Sequence, residues 1–150
     1  MTQSKKTALV TGGNRGIGFA ICQGLLTAGF DVFLAARNQE KGQAAVDKLS
    51  TDNNSVQLVE LDLAEDQSIN NAVNSVSQIT DSLAVLVNNA GIYPDLRGSK
   101  GVNILTVSRD LLIKSMNTNA FSPIVITQAF LPLLEKATNP KVINVSSGNG

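Results

Sequence analysis

The chain has 150 residues, 43% of them hydrophobic, with 12 lysines and arginines against 12 aspartates and glutamates, no histidine and one cysteine. That length supports one domain with a substantial core, and the balanced charge gives no footing for broad binding to nucleic acid or to an anionic membrane. A Ser-His-Asp triad, a Cys-His pair and a histidine-ligated metal are excluded within it, as are an internal disulfide and a cysteine-rich zinc site.

In chain order, Met1, Thr2, Gln3, Ser4, Lys5 and Lys6 lead straight into the apolar run Thr7, Ala8, Leu9 and Val10. There is no signal-like apolar region and no run of membrane-spanning length, so a cytoplasmic protein without a membrane partner is expected. The first strand then meets Thr11, Gly12, Gly13, Asn14, Arg15, Gly16, Ile17 and Gly18. This reads as a tight turn into a helix. One glycine permits the sharp turn, one leaves room for a phosphate to approach the backbone, and one lets the helix pack close to the sheet. The unpaired N–H groups and positive dipole at the helix start suit a pyrophosphate. The competing reading is a glycine-rich turn with no ligand.

The helix that follows is expected to bury Ile17, Ala20, Ile21, Gly24, Leu25 and Ala28, with Gly29 as its cap. Cys22, set among Ala20, Ile21 and Leu25, reads as a packing residue rather than a nucleophile. Residues 32–36 are apolar throughout and predict a strand covered on both faces. Asn38 is placed to cap a second helix carrying Ala45, Val46 and Leu49, which a polar turn over 51–54 ends. Residues 56–61 predict a third strand closing at Asp62, and Ile69, Ala72, Val73, Val76 and Ile79 mark a third helix. Residues 83–87 predict a fourth strand, running into Asn88, Asn89, Ala90 and Gly91.

Residues 92–103, with Pro94, Gly98 and Gly101, read as a surface loop, either a solvated insertion or a border of a ligand site. A helical stretch is expected from Ser108 to about Ala137, with a break in it left open. Residues 141–145 predict a fifth strand, followed by Ser146, Ser147, Gly148, Asn149 and Gly150. The alternation defines an α/β fold, a Rossmann-type doubly wound parallel sheet of five strands with flanking helices.

With Thr-Gly-x-x-x-Gly-x-Gly at 11–18, Asp62 and Leu63 after the third strand, Asn-Asn-Ala-Gly at 88–91, Asn119, and Asn-Val-Ser-Ser at 144–147, the chain resembles the short-chain dehydrogenase/reductase family. The resemblance covers essentially all 150 residues, and within the family the chain resembles NADPH-dependent carbonyl reductases. It implies a cofactor site at Gly12, Asn14, Arg15, Gly16, Ile17 and Gly18, with Asp62 and Leu63 at the adenine and Asn88, Asn89, Ala90 and Gly91 lining the cofactor. It implies Ser147 as the catalytic serine bonded to the reacting oxygen. It also implies Asn119 as the helix asparagine whose backbone carbonyl holds a water of the proton relay. Taken singly, Asp62 also reads as a helix-entry residue, the 88–91 run as a turn, Asn119 as a cap, and the serines as hydroxyls satisfying strand-end backbone.

Charge bears on the cofactor. The second strand ends in Ala35, Ala36, Arg37 and Asn38, with no carboxylate for the ribose 2′-hydroxyl of NAD. Arg37 before a helix start is unfavourable unless an anion joins it, and Arg15 can approach the same place. A 2′-phosphate between the two arginines predicts NADP(H), against a merely solvated Arg37. Pro123 has no N–H for the Asn119 carbonyl, which predicts that this carbonyl stays open; the alternative puts Pro123 in the first turn of a restarted helix.

The family's Tyr-x-x-x-Lys pair does not occur here. Tyr93, the one tyrosine, precedes the serine and is followed by Pro94, Asp95, Leu96 and Arg97, so its spacing rules it out. Residues 1–150 are therefore expected to form an NAD(P)-binding domain lacking its C-terminal part, with little turnover alone. For the intact protein the expectation is an NADP(H)-dependent oxidoreductase acting on a small carbonyl or alcohol, with a homo-oligomer as one option. The alternative is a non-catalytic dinucleotide-binding or redox-sensing module.

Overall fold

The computed structural model describes residues 5–93 and 105–147. The expected loop from Pro94 to Asn103 and the tail of Gly148, Asn149 and Gly150 lie outside the described residues. The elements are β1 (Thr7–Thr11), α1 (Gly16–Thr27), β2 (Asp31–Ala36), α2 (Gln39–Leu49), β3 (Val56–Glu60), α3 (Asp66–Ser77), β4 (Val85–Asn88), α4 (Arg109–Met116), a π-turn (Asn117–Phe121), α5 (Ser122–Leu134) and β5 (Lys141–Asn144). All neighbouring strands are parallel, in the order β3-β2-β1-β4-β5. The chain moves outward from β1 through β2 to β3, then returns to the other side of β1 with β4. The reversal puts the topological switch point between β1 and β4, and the carboxyl ends of the strands at such a point are where α/β sheets take ligands.

Strand residues divide by parity between two core layers. Leu9, Phe33, Leu86 and Val59 face α3 and α5, meeting Ile69, Val76, Ile126 and Phe130. Ala8, Val10, Val32 and Leu34 join the opposite layer with Cys22, Leu26, Val46 and Leu49. β1 is buried at every residue and β2 at all but its first, which is why both read as unbroken apolar runs. Cys22 is buried as expected, and desolvation pushes its thiol up from 9.0 to about 12, against a smaller lowering by a backbone hydrogen bond.

The buried side of α1 differs from the expected one. It is Gly18, Cys22 and Leu26, while Ile17 is 66% exposed and Ala20, Gly24 and Ala28 also face outward. α1 is apolar nearly all round, so spacing does not select a face. Close approach does: Gly18 lies against the Gly12 carbonyl, and a Cβ at Gly13 would meet Cys22 Sγ at 3.0 Å.

α3 ends at Ser77, leaving Ile79 53% exposed in a terminal turn whose N–H reaches the Val76 carbonyl at 3.0 Å. β4 begins at Val85, because the Leu83 N–H goes to the Leu133 carbonyl of α5 at 2.9 Å instead of to a strand. β3 and β5 each stop one residue short of expectation, at Glu60 and Asn144. The open break in the last long helix proves to be the π-turn, with Pro123 at the start of α5. Beyond it the molecule is uncovered: β5 is exposed along its length, and Ile113, Met116, Phe121, Ile124, Val142 and Ile143 all face outward.

Candidate functional site

The site is built on the end of β1. Gly12 (φ 65°) and Gly16 (φ 55°) adopt left-handed backbone that other residues rarely enter, and the Gly13 N–H ties the turn to β2 through the Ala35 carbonyl at 3.1 Å. The glycines divide their work. At Gly12 a Cβ would press on Ala90 Cα at 3.0 Å, and at Gly18 it would collide with the Gly12 carbonyl and the Asn89 side chain. At Gly16 no atom lies within 4 Å of that position, so the space above the turn is open.

α1 begins differently from the helices around it. Asn38 caps α2 by accepting from the Lys41 N–H at 2.8 Å, and Ser108 caps α4 by accepting from Leu111 at 3.2 Å. α3 carries Asp66 in its first turn. The residue preceding α1 is Arg15, whose side chain makes no capping bond, and the first turn has no acid. The N–H groups of that turn have no side-chain acceptor among the described residues, and no atom crowds the Cβ position of Gly16 beside them, an arrangement suited to an anion.

Thr11 locks the far wall in place. Its hydroxyl accepts from the Asn89 and Ala90 N–H groups, each at 3.0 Å, and donates to the Val87 carbonyl at 3.4 Å. The Asn89 amide donates back to the carbonyls of Thr11 and Gly12 at 3.1 and 3.3 Å. One neutral hydroxyl and one amide thus hold the segment after β4 against the glycine turn.

Arg37 follows β2, and neither it nor Arg15 forms an ion pair with a described residue. The Leu61 N–H reaches the Ala36 carbonyl at 3.0 Å, which brings Asp62 alongside Arg37's strand end. Asp62 Oδ1 accepts from the Ala64 N–H at 3.0 Å, so part of its carboxylate holds the local turn. Leu63 packs against the core, and its carbonyl lies 2.8 Å from the Ser122 hydroxyl at the start of α5.

Behind these groups, Asn88 links β4 to β5 and α5, its Nδ2 donating to Asn144 Oδ1 at 2.9 Å and reaching Thr127 Oγ1 at 3.5 Å. The Asn88 carboxamide oxygen is buried with no hydrogen-bond partner among the described residues. The Asn119 side chain does not cap a helix. It grips Ile92, accepting from its N–H and donating to its carbonyl, both at 2.8 Å. Val145 N–H bonds the Asn88 carbonyl at 2.9 Å, so Ser146 and Ser147 emerge at the same carboxyl edge.

Gly12, Gly18, Asn89 and Ala90 are therefore in direct contact, Asn119 stands against Gly91 and Ile92, and Arg37, Asp62 and Ser147 sit at neighbouring strand ends. Asn14 and Ile17 lie at the mouth of the turn, Ile17 facing outward. Three contributors were not singled out from sequence: the Thr11 hydroxyl, Gly13 and Thr127. A threonine closing a buried strand was the available signal for the first; the other two depend on neighbours distant in sequence.

The family model described as short chain dehydrogenase matches residues 6–150, and the chain belongs to that family. A short-chain dehydrogenase/reductase of Aspergillus fumigatus is 42% identical over 150 residues, covering 98% of this chain and 56% of that protein. Mouse carbonyl reductase [NADPH] 1 is 39% identical over 148 residues, covering 98% of this chain and 50% of the other. Among solved structures, the Pseudomonas aeruginosa RhlG/NADP active-site complex superposes with a TM-score of 0.80 at 35% identity, over 95% of this chain and 53% of that one. The chain spans about half the length of the curated relatives it matches.

Proposed function

We propose that the protein is an NADP(H)-dependent oxidoreductase that moves hydride between the nicotinamide and a small carbonyl or alcohol substrate. The observation that carries this reading is the α1 start, with unshared N–H groups, an uncrowded Gly16 and Arg15 at the helix start, and with Arg37 at the end of the neighbouring strand β2; neither arginine pairs with a described carboxylate. Related proteins of known NADP or NADPH association support it.

The residues present fit the cofactor. The α1 N–H groups would hold its pyrophosphate, Arg15 and Arg37 its 2′-phosphate, Asp62 and Leu63 would border the adenine, and Asn14, Asn89, Ala90 and Gly91 would line its path. When bound, the cofactor supplies the hydride at its nicotinamide carbon. Ser147 would donate a hydrogen bond to the substrate oxygen as charge develops there, and the Asn119 carbonyl would orient a water in the proton path. Tyr93, 65% exposed after Gly91, is not the proton donor, so turnover requires a donor from outside these 150 residues, and the 1–150 chain alone would be inactive. We assign the exposed apolar face of α4, α5 and β5 to contacts within the intact protein or a homo-oligomer.

Titration calorimetry with NADPH and NADH tests the cofactor assignment. Arg37→Asp should weaken NADPH binding about 100-fold while leaving NADH within a few-fold, as loss of a charge-assisted phosphate contact demands. Equal affinities for both cofactors in both proteins would overturn it. The missing Tyr-x-x-x-Lys favours a second reading, a binding module without catalysis; NADPH binding with no carbonyl reduction by the intact protein would establish that one.

A further inference from the structure

Among the described residues the buried polar side chains are Thr7, Thr11, Asn88 and Ser122. Thr11 and Asn88 belong to the site described above, and the Thr7 hydroxyl fastens the start of β1 to the Ser82 carbonyl. Ser122, 4% exposed at the first position of α5, stands apart from them. A hydroxyl at the start of a helix commonly accepts from the N–H groups of the next turn. That of Ser122 instead faces two carbonyls, 2.6 Å from that of Asn117 and 2.8 Å from that of Leu63.

A hydroxyl has one proton, and the two acceptors do not need it equally. The Asn117 carbonyl already takes the Ser122 N–H, and Asn117 is exposed to water. The Leu63 carbonyl takes no backbone N–H of a described residue, and Leu63 packs against the core layer of α3 and α5. Leaving a half-buried carbonyl unpaired costs more than a second donor to a paired one returns, so the proton belongs to Leu63.

The backbone around Leu63 is otherwise tied close to home. The Asp62 N–H donates to Ser68 Oγ at 2.9 Å, the Ala64 N–H to Asp62 Oδ1 at 3.0 Å, and the Glu65 N–H to the Asp62 carbonyl at 3.3 Å. The bond from Ser122 reaches across 59 residues and joins this segment to α5, directly after the turn whose Asn119 side chain holds Ile92.

We infer that Ser122 is a positioning residue for the adenine end of the cofactor site, its hydroxyl setting where Asp62 and Leu63 stand. The inference rests on the NADP(H) reading above, in which those two residues border the adenine. Ser122 is buried behind Leu63 and acts through its carbonyl.

Titration calorimetry on Ser122→Ala, run well below its melting temperature, tests this with NADPH and with adenosine 2′,5′-bisphosphate, which carries the adenine end alone. Both should bind about tenfold more weakly than to the unmutated protein, and by the same factor, because one carbonyl loses its donor and the nicotinamide end is untouched. Ser122→Thr keeps a hydroxyl and should bind the bisphosphate within about threefold of the unmutated protein. A lowered melting temperature with bisphosphate affinity retained in Ser122→Ala would overturn the inference and leave Ser122 as a packing residue. NADPH weakened without the bisphosphate, or a threonine variant as weak as the alanine one, would overturn it too. An unmutated protein that binds neither ligand would instead overturn the NADP(H) reading, and the assignment of Ser122 with it.

Discussion

The two sides of β1 are unfinished in opposite ways. On the β2 side the apolar work is further along: β2 is buried at all but its first residue, α2 is capped, and glycines let backbone meet backbone at the crossing of α1. What that side lacks is polar, since a set of helix-start N–H groups and two arginines have no carboxylate among the described residues. On the β5 side Asn88, Asn144 and Thr127 are joined across two strands and a helix, leaving among their polar atoms the Asn88 carboxamide oxygen without a partner among the described residues, while apolar side chains of α4, α5 and β5 stand in solvent. Each deficit names its complement. A cluster of unshared donors calls for an anion, and a contiguous apolar surface calls for another apolar surface.

Gly18→Ala should break this contrast most sharply. Its Cβ would strike the Gly12 carbonyl and the Asn89 side chain on the finished side, at a cost of about 3 kcal/mol in urea unfolding, with cofactor binding lost as the turn shifts. A stable variant would mean that the turn and α1 do not touch as described.

Cys22→Ala probes the same layer through pH. Burial raises the thiol pKa from 9.0 to about 12, so the unfolded chain releases a proton near pH 9 that the folded chain retains. The stabilising preference for the neutral thiol is whole below pH 9 and is lost progressively between pH 9 and 12, amounting to about 1 kcal/mol by pH 10. Denaturant midpoints across that window should fall less steeply in the alanine variant, whatever its constant cost from the lost sulfur. The smallest effect is expected on the open side. Ile124 is 58% exposed, so Ile124→Lys should shift stability of this chain by no more than about 0.5 kcal/mol. A loss rivalling that of Gly18→Ala would show that something covers this face.

Most of the fold could be read from the chain because its signals are local: buried strands as apolar runs, Asn38 before a helix, and glycines at the turn after β1. The rotation of α1 could not, since a helix apolar on several sides presents no preferred stripe, and the choice was made by Gly13 and Gly18 against atoms far away in sequence. The site shows the same division. Gly12, Gly16 and Gly18 announce themselves by type and spacing. The Thr11 hydroxyl, by contrast, serves groups 78 and 79 residues away, and Asn119 holds Ile92 across 27 residues, relations that no local pattern encodes. Pro123 lay between these cases: its missing donor was evident, while the π-turn that precedes it required the structure.

The grip of Asn119 on Ile92 has a mechanical side. It is a rivet between the two unfinished halves, fastening the bend of the outer helix to the strip of chain that walls the glycine turn. Because it engages both the donor and the acceptor of one residue, it resists rotation as well as separation. Load applied to the apolar face of α4 and α5 is therefore delivered beside Gly91, and the exposed apolar face and the open helix start answer to one fastening.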